Sequence, residues 1–192
     1  MSTQNTTTPT TLNGINVTQV VATMNEIKDK PMLARFTFRS DNTWLSGGHN
    51  RSSIKGFYGY CKEDTSRADS FEMDNDEPPV LFGENRGANP VEYILHGLAG
   101  CLTTTLVCYA SAMGVEIDEI TSHYEGDIDI RGLLGLSDEV RNGYDNIRVT
   151  FSIKSDAPRE KIEELIGLAQ AHSPVFDLVS HGTTVSVRLA DR

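Results

Sequence analysis

The residues best suited to chemistry in this sequence are its three cysteines, Cys61, Cys101 and Cys108. A cysteine thiolate is a nucleophile and can be oxidised to a sulfenic acid. Cys101 and Cys108 share an apolar stretch, NPVEYILHGLAGCLTTTLVCYASAMGV, residues 89–115, whose pattern predicts one long helix. Seven residues of helix rise by about 10.5 Å, whereas the Cα atoms of a disulfide lie within roughly 7 Å of each other. The two cysteines therefore cannot pair within this helix, and Cys108 is interpreted as a packing residue.

Two interpretations of Cys101 remain open on the residues alone. The residues on its side of the helix are small or weakly polar: Gly97, Thr104, Thr105 and Cys108. Such a face allows a second helix or a sheet to approach closely, and a free cysteine is often a small buried hydrophobe. A reactive thiol would instead need a nearby cation and access for a small substrate. The candidate cations lie upstream of the helix: Arg35, Arg39, Arg51 and Arg86.

The helix has a well-marked start, which includes a carboxylate. Asn89 is the predicted N-cap, Pro90 stands at the first helical position and Glu92 at the third, where its charge complements the helix dipole. Glu92 precedes Cys101 by nine residues, which places it on the opposite side of the helix. Glu92 can therefore act on Cys101 only across a subunit boundary or through an arginine.

Composition excludes several classes of protein. The formal net charge of -10 argues against a partner such as nucleic acid or an anionic membrane. An odd number of cysteines without framework spacing argues against a disulfide-stapled secreted protein. No apolar run looks long enough to span a bilayer. The scattered histidines lack metal-ligand spacing and no glycine-rich phosphate loop is present, so neither a metal nor a cofactor is expected.

The 192 residues fit a single domain preceded by an arm. Residues 1–14 are polar and threonine-rich, without the features of a secretory signal, and are expected to form a flexible arm. Residues 15–192 are expected to form one domain of a cytoplasmic protein. Helices are predicted over residues 15–29, over 89–114 and after a start at 155–160, with a short helical turn within 172–182. Strands are predicted over residues 33–40, 53–61, 115–132, 146–155 and 183–190.

This order predicts an α+β fold with mainly antiparallel sheets. A largely apolar helix of about 24 residues needs cover on most of its surface. A partner subunit is therefore inferred.

Two motifs carry a resemblance to a known family. The segment N-P-x-E…x-G-C at 89–101 and the segment S-P-V at 173–175 resemble the OsmC/Ohr family, the osmotically induced and organic hydroperoxide resistance proteins, over about residues 44–189. The resemblance implies antiparallel sheets packed around two long helices in an intertwined homodimer. That dimer would supply the partner that the long helix needs.

The resemblance also implies a thiol peroxidase that reduces organic hydroperoxides. In this family a cysteine thiolate attacks the O–O bond, becomes a sulfenic acid and condenses with a second cysteine. An arginine lowers the pKa of the thiol, and a glutamate holds that arginine. Cys101 matches the peroxidatic position, and Arg51, which follows Gly47-Gly48, matches the arginine, with Arg86 as the runner-up. Glu92 stands one residue from the Ohr-type glutamate position but matches OsmC-like branches that carry P-x-E.

One departure from the family pattern bears directly on the reaction. Ser173 occupies the position of the second cysteine, and a serine cannot form a disulfide. Three outcomes follow: a one-cysteine peroxidase recycled by an external thiol reductant, resolution by Cys61, or loss of activity. The expected function is therefore a hydroperoxide reductase that depends on Cys101. The alternative is a stress-associated dimer that binds a small apolar ligand.

Overall fold

The computed structural model describes residues 10–190, which divide into two compact units. The first unit contains residues 10–11 and 16–94, and the second contains residues 12–15 and 95–190. Both units combine helices with small antiparallel sheets, so the predicted mixed α+β architecture is confirmed. Residues 1–9 of the predicted arm lie outside the described residues.

Residues 10–14, which the composition assigns to the arm, are tied to the protein. They contribute to a hairpin of two short strands, β1 (Thr11–Leu12) and β2 (Ile15–Asn16). The Asn13 side chain donates to the Ser111 hydroxyl at 3.1 Å and to the Val115 carbonyl at 2.9 Å, and it accepts from the Ile117 amide at 2.9 Å. Asn13 therefore anchors residues 12–15 to the segment between Ser111 and Ile117.

The first unit opens with a helix and continues as short strands. The predicted first helix is present as α1 (Val17–Asp29), capped by the Asn16 side chain. Its strands are β3 (Asp41–Ser46), β4 (His49–Ile54), β5 (Phe57–Gly59), β6 (Lys62–Asp64) and β7 (Phe71–Asn75). Strands β3, β4 and β7 form one antiparallel sheet in that order, and β5 pairs with β6.

The prediction of a strand over residues 33–40 is wrong. A 3-10 turn at Pro31–Ala34 takes up its first residues, and only an isolated bridge between Thr37 and Tyr58 follows. The alternation of apolar residues instead places Phe36 and Phe38 in a cluster with Phe57, with ring centroids 5.3 to 6.2 Å apart.

A loop connects β7 to the long helix, and one buried carboxylate organises it. Asp76 accepts backbone hydrogen bonds from Glu77 at 2.8 Å and from Glu84 and Arg86 at 3.0 Å. Its pKa is held below the ordinary value, chiefly by the Arg86 amide. A side chain at Gly83 would collide with the Glu77 carbonyl oxygen, 1.8 Å from an ideal Cβ. The loop is thus closely packed on itself where it leads into the helix.

The long helix α2 (Pro90–Ala112) begins as predicted. Asn89 Oδ1 accepts from the Val91 amide at 2.8 Å, and the Glu92 carboxylate accepts from the Asn89 amide at 2.9 Å, which completes a reciprocal capping box. A buried stripe runs along α2 at helical spacing: Leu98, Leu102, Leu106, Ala110 and Ser111. By length and composition α2 could also cross a membrane, contrary to the sequence-based expectation, although the core helix of a soluble protein meets the same criterion.

The second unit packs a hairpin and two helices with this stripe. Its elements are β8 (Glu119–Asp127), α3 (Ile130–Leu133), β9 (Asn146–Lys154), α4 (Arg159–His172) and α5 (Pro174–His181). β8 and β9 pair antiparallel from Glu119 opposite Lys154 to Asp127 opposite Asn146, which confirms the predicted pair. The inward face of β9 is also as predicted, with four side chains packed against the core: Ile147, Val149, Phe151 and Ile153.

The end of the chain differs from expectation. Within residues 10–190 no strand is assigned to residues 183–190, where the alternating pattern predicts one. Its apolar side chains are instead solvent-exposed, at 76% for Val185, 92% for Val187 and 95% for Leu189.

Candidate functional site

Cys101 lies near the middle of α2, in the second unit, as a half-buried free thiol. The next residue, Leu102, belongs to the buried stripe, whereas Thr104 on the Cys101 side is exposed. A Cβ atom placed on Gly97 or Gly100 would meet nothing within 4 Å among the described residues beyond the local helix. The tight packing that would explain a small-residue face is therefore not supplied around these glycines by the described chain.

The other two cysteines occupy different surroundings. Cys108 is half-buried on the same uninterrupted helix, so the helical rise excludes a disulfide with Cys101. Cys61 is exposed at the β5–β6 turn of the first unit, where its φ is 59° and its thiol lies 3.6 Å from the Met32 carbonyl. Resolution of Cys101 by Cys61 stays a prediction.

Arg51 is held by a carboxylate that the sequence motifs did not suggest. Arg51 on β4 faces Asp74 on β7, and Nε and Nη2 each donate to one Asp74 oxygen at 2.9 Å. His49 Nε2 lies 2.9 Å from Asp74 Oδ1. The hydrogen bond from Arg51 is the main cause that lowers the pKa of Asp74, and the hydrogen bond from His49 is the next largest. Asp74 in turn raises the pKa of Arg51. The pair is therefore ionised and fixed in orientation.

Glu92 and Arg86 form hydrogen bonds with residues other than Arg51. Glu92 caps α2 through the Asn89 amide, and within residues 10–190 no hydrogen bond or ion pair joins it to Arg51. Arg86 Nε donates to Glu84 at 2.7 Å, and the Arg86 amide binds Asp76. The structure therefore brings Arg51 together with Asp74 and His49, and does not join Arg51 to Glu92.

Only the register between β4 and β7 could have revealed Asp74 as the partner of Arg51. It stands 23 residues from Arg51 in the segment FEMDN, where alternation places its side chain with that of Glu72, and nothing in this spacing selects Arg51 as its partner.

Ser173 joins two helices in the second unit. It is 2% exposed, and its amide donates to the Ala169 carbonyl at the end of α4. Its hydroxyl then caps α5 by accepting from the Phe176 amide at 3.2 Å. The residue at the expected second-cysteine position is thus a buried helix cap.

No group of three or more histidine, cysteine, aspartate or glutamate side chains between residues 10 and 190 is arranged to hold a metal ion.

Comparison with known proteins concerns both sequence and fold. The model of the OsmC-like protein family matches residues 83–188, more than half of the chain. A comparison with curated protein sequences gives no significant match.

Among solved structures, the fold is similar to an OsmC-like protein from Mycoplasma pneumoniae, with 17% identity, a TM-score of 0.56 and coverage of 76% of this chain and 88% of that one. It is also similar to an organic hydroperoxide resistance protein, OsmC, from Legionella pneumophila, with 16% identity, a TM-score of 0.54 and coverage of 76% and 90%. At these identities the likeness concerns the fold alone. Taken with the family match, it shows that the chain belongs to the OsmC-like protein family.

Proposed function

We propose that this protein is an organic hydroperoxide reductase of the one-cysteine type, with Cys101 as the peroxidatic residue. The observation that carries the proposal is the free, half-buried Cys101 thiol on a helix whose neighbouring glycines, Gly97 and Gly100, are uncovered. Support also comes from the family, which includes a Legionella pneumophila protein named for organic hydroperoxide resistance.

The reaction needs only the thiol and an external reductant. The Cys101 thiolate attacks one oxygen of the hydroperoxide, the O–O bond breaks, and the alkoxide leaves and takes a proton to become an alcohol. Sulfur is oxidised by two electrons to a sulfenic acid. One external thiol then forms a mixed disulfide and releases water, and a second external thiol regenerates the Cys101 thiolate.

The other candidate residues have supporting roles in this proposal. Arg51 supplies the positive charge that stabilises the thiolate, as the family resemblance implies, with Arg86 as the alternative. Glu92 fixes the start of the helix that carries Cys101. Ser173 cannot form a disulfide, so recycling falls to an external thiol.

We also propose that the protein is a homodimer in the cytoplasm, where glutathione and thioredoxin would provide the reductant. The uncovered glycines of α2 and the exposed apolar residues of 183–190 support a second subunit.

A second candidate function is a catalytically divergent dimer that binds a small apolar ligand. It is favoured by Ser173, which is built into the fold as a buried helix cap and leaves no resolving thiol at that position.

Cysteine variants assayed under turnover separate these candidates. The protein is given cumene hydroperoxide and dithiothreitol, and sulfenate formation is mapped with dimedone and mass spectrometry. We expect Cys101→Ser to abolish turnover and the adduct, while the matched variant Cys108→Ser retains both. If Cys61→Ser retains turnover, dithiothreitol recycles Cys101 directly. If Cys61→Ser loses turnover, Cys61 is the recycling thiol. Turnover that is unchanged in Cys101→Ser would overturn the proposal. An absent adduct together with binding of an apolar probe would favour the second candidate.

A further inference from the structure

The sequence contains two Asn-Gly pairs, Asn13-Gly14 and Asn142-Gly143, and both lie in the second unit. An asparagine followed by glycine is prone to deamidation, because glycine has no side chain to hinder the attack of its backbone nitrogen on the asparagine side chain. The two pairs share this chemistry but differ in how the fold holds the asparagine. The fold therefore decides which pair can react.

The turn between β1 and β2 requires the first pair. The backbone φ is 50° at Asn13 and 78° at Gly14, and two consecutive positive values are typical of a type I′ hairpin turn, in which Asn-Gly is the preferred pair. Three hydrogen bonds of 2.9 to 3.1 Å hold the Asn13 side-chain amide through both its nitrogen and its oxygen. Two of the partner residues, Ser111 and Val115, are buried. Rotation of the amide toward the Gly14 nitrogen would break these bonds.

The second pair lies in a segment without helix or strand between α3 and β9. Neither Asn142 nor Gly143 has a positive φ, so the backbone does not require a glycine there. Asn142 is exposed, and no hydrogen bond holds its side-chain amide among residues 10–190. This amide can therefore rotate toward the Gly143 nitrogen without losing a bond to the described chain.

The reaction needs only the chain and water. The Gly143 backbone nitrogen attacks Cγ of Asn142, so that a C–N bond forms and the bond from Cγ to Nδ2 breaks. Nδ2 leaves as ammonia with the proton of the Gly143 amide, and a succinimide ring remains. Solvent water then opens the ring at either carbonyl and leaves aspartate or isoaspartate. No group is oxidised or reduced, and the side chain becomes a carboxylate.

Asn142 also contributes to a close contact with α3. A Cβ atom placed on Gly132 would lie 2.6 Å from Asn142 Oδ1 and 3.0 Å from the Arg141 carbonyl oxygen, so the two segments touch where glycine leaves room. Isoaspartate inserts an additional carbon into the backbone, and either product replaces a neutral amide by a charge. Both changes disturb the contact between Gly132 and residues 141–142.

We propose that Asn142-Gly143 is a deamidation site of the folded protein, and that its reaction releases α3 from residues 141–142. Asn13-Gly14 is protected, because Asn13 can react only after a local opening that breaks its hydrogen bonds. This inference is independent of the proposed function, since neither Cys101 nor a hydroperoxide takes part.

The test follows both asparagines in one sample. The protein is aged in mildly alkaline buffer made with oxygen-18 water, and peptide mapping by mass spectrometry measures the label at each site. Enzymatic methylation of isoaspartyl residues measures the isoaspartate. We expect Asn142 to react at least about tenfold faster than Asn13 in the folded protein. In urea, where the bonds of Asn13 are lost, the two rates should become similar.

Gly143→Ala is the matched control, because the added Cβ would hinder the attack and would lie 3.6 Å from Arg141 Nε, an ordinary contact. It should suppress the reaction at Asn142 and leave that at Asn13 unchanged. Trypsin measures the release of α3, because Arg131 lies within this helix. Ageing should speed cleavage after Arg131 in the unmodified sequence and should have no such effect in Gly143→Ala.

Absence of label at Asn142, or a reaction at Asn13 that is equally fast in the folded protein, would overturn the proposed site. Labelled protein in which trypsin cleaves after Arg131 no faster than before would overturn the release of α3. If Gly143→Ala does not fold, Asn142→Gln decides, because the longer glutamine side chain closes the corresponding ring much more slowly.

Discussion

Ser173 closes one helix and opens the next, and the second role uses its hydroxyl oxygen, a stronger hydrogen-bond acceptor than the sulfur of a cysteine. Its amide completes α4 at Ala169, and its hydroxyl accepts from the Phe176 amide at the start of α5. Serine is among the best N-cap residues because its short side chain reaches the free amides of the first turn. The loss of the expected second cysteine therefore coincides with a structural role for its replacement.

At this residue we predict an effect on stability. Ser173→Ala removes the cap and should lower the free energy of unfolding by about 1 kcal/mol in urea denaturation. Ser40→Ala, at an exposed serine, should change it by less than about 0.5 kcal/mol. The rate of sulfenate formation at Cys101 should not change in Ser173→Ala. Equal stability of the two variants would show that the cap contributes nothing.

The single residues differ in how far the sequence could identify them. The N-cap Asn89 and the partner Glu92 were predictable because a capping box is local and spans four positions. Cys101 was selected as the candidate thiol by its motif, and its role stays a prediction. Asp74 was not predictable, because its pairing with Arg51 depends on the register between two strands, and no local pattern encodes that register.

At the scale of elements, the loop before α2 depends on one ionised side chain. Asp76 is 2% exposed and accepts three backbone amides through its two oxygens. Three donors converging on one side chain require an acceptor at both oxygens, which only the carboxylate provides. The start of the cysteine helix is therefore sensitive to the charge of Asp76.

We predict a pH-dependent loss of stability in Asp76→Asn. The pKa of Asp76 is depressed in the folded protein, so ionisation stabilises the fold above about pH 4, the ordinary range for aspartate, and this contribution disappears as pH falls through the depressed value. In Asp76→Asn the side-chain NH2 group would point at one of the backbone N–H groups that donate to Asp76, and two donors cannot form a hydrogen bond with each other. The variant should unfold at a lower temperature at pH 7, and its difference from the unmodified protein should narrow below about pH 4. Asp138→Asn, at an exposed residue, is the control. A constant difference across the pH range would contradict this role.

The elements that periodicity identified are those with long, regular patterns. Helix α2 and strand β9 were predicted because their apolar residues repeat over 23 and 9 residues, respectively. The start of α4 was not predicted to the residue. The helix begins at Arg159 after Pro158, and no side chain caps it. Ser155, at the beginning of the predicted start at 155–160, instead donates its hydroxyl to the Glu116 carbonyl and accepts from the Ala157 amide. Short segments such as these are decided by tertiary contacts, which local patterns do not contain.

At the scale of the whole molecule, two segments have a composition typical of buried surfaces but are not covered by the described chain. The glycines beside Cys101 on α2 are open, and residues 183–190 carry a strand pattern without a strand. Alternating apolar residues favour a sheet with one buried face. A second copy of the chain, as in the homodimer proposed above, would cover both features.

The homodimer leads to a prediction about the end of the chain. Val187 is 92% exposed in the protomer, so a lysine there would cost little in an isolated subunit. If residues 183–190 add to the sheet of a second copy with Val185, Val187 and Leu189 inward, Val187→Lys should weaken dimerisation by at least about tenfold, or 1.4 kcal/mol. Analytical ultracentrifugation across a dilution series measures this change. Ser186→Lys is the matched control, because alternation directs residue 186 to the opposite face and the dimer should persist. Equal dissociation constants for the two variants would remove this segment from the interface, and a monomer at every concentration of the unmodified protein would refute the homodimer itself.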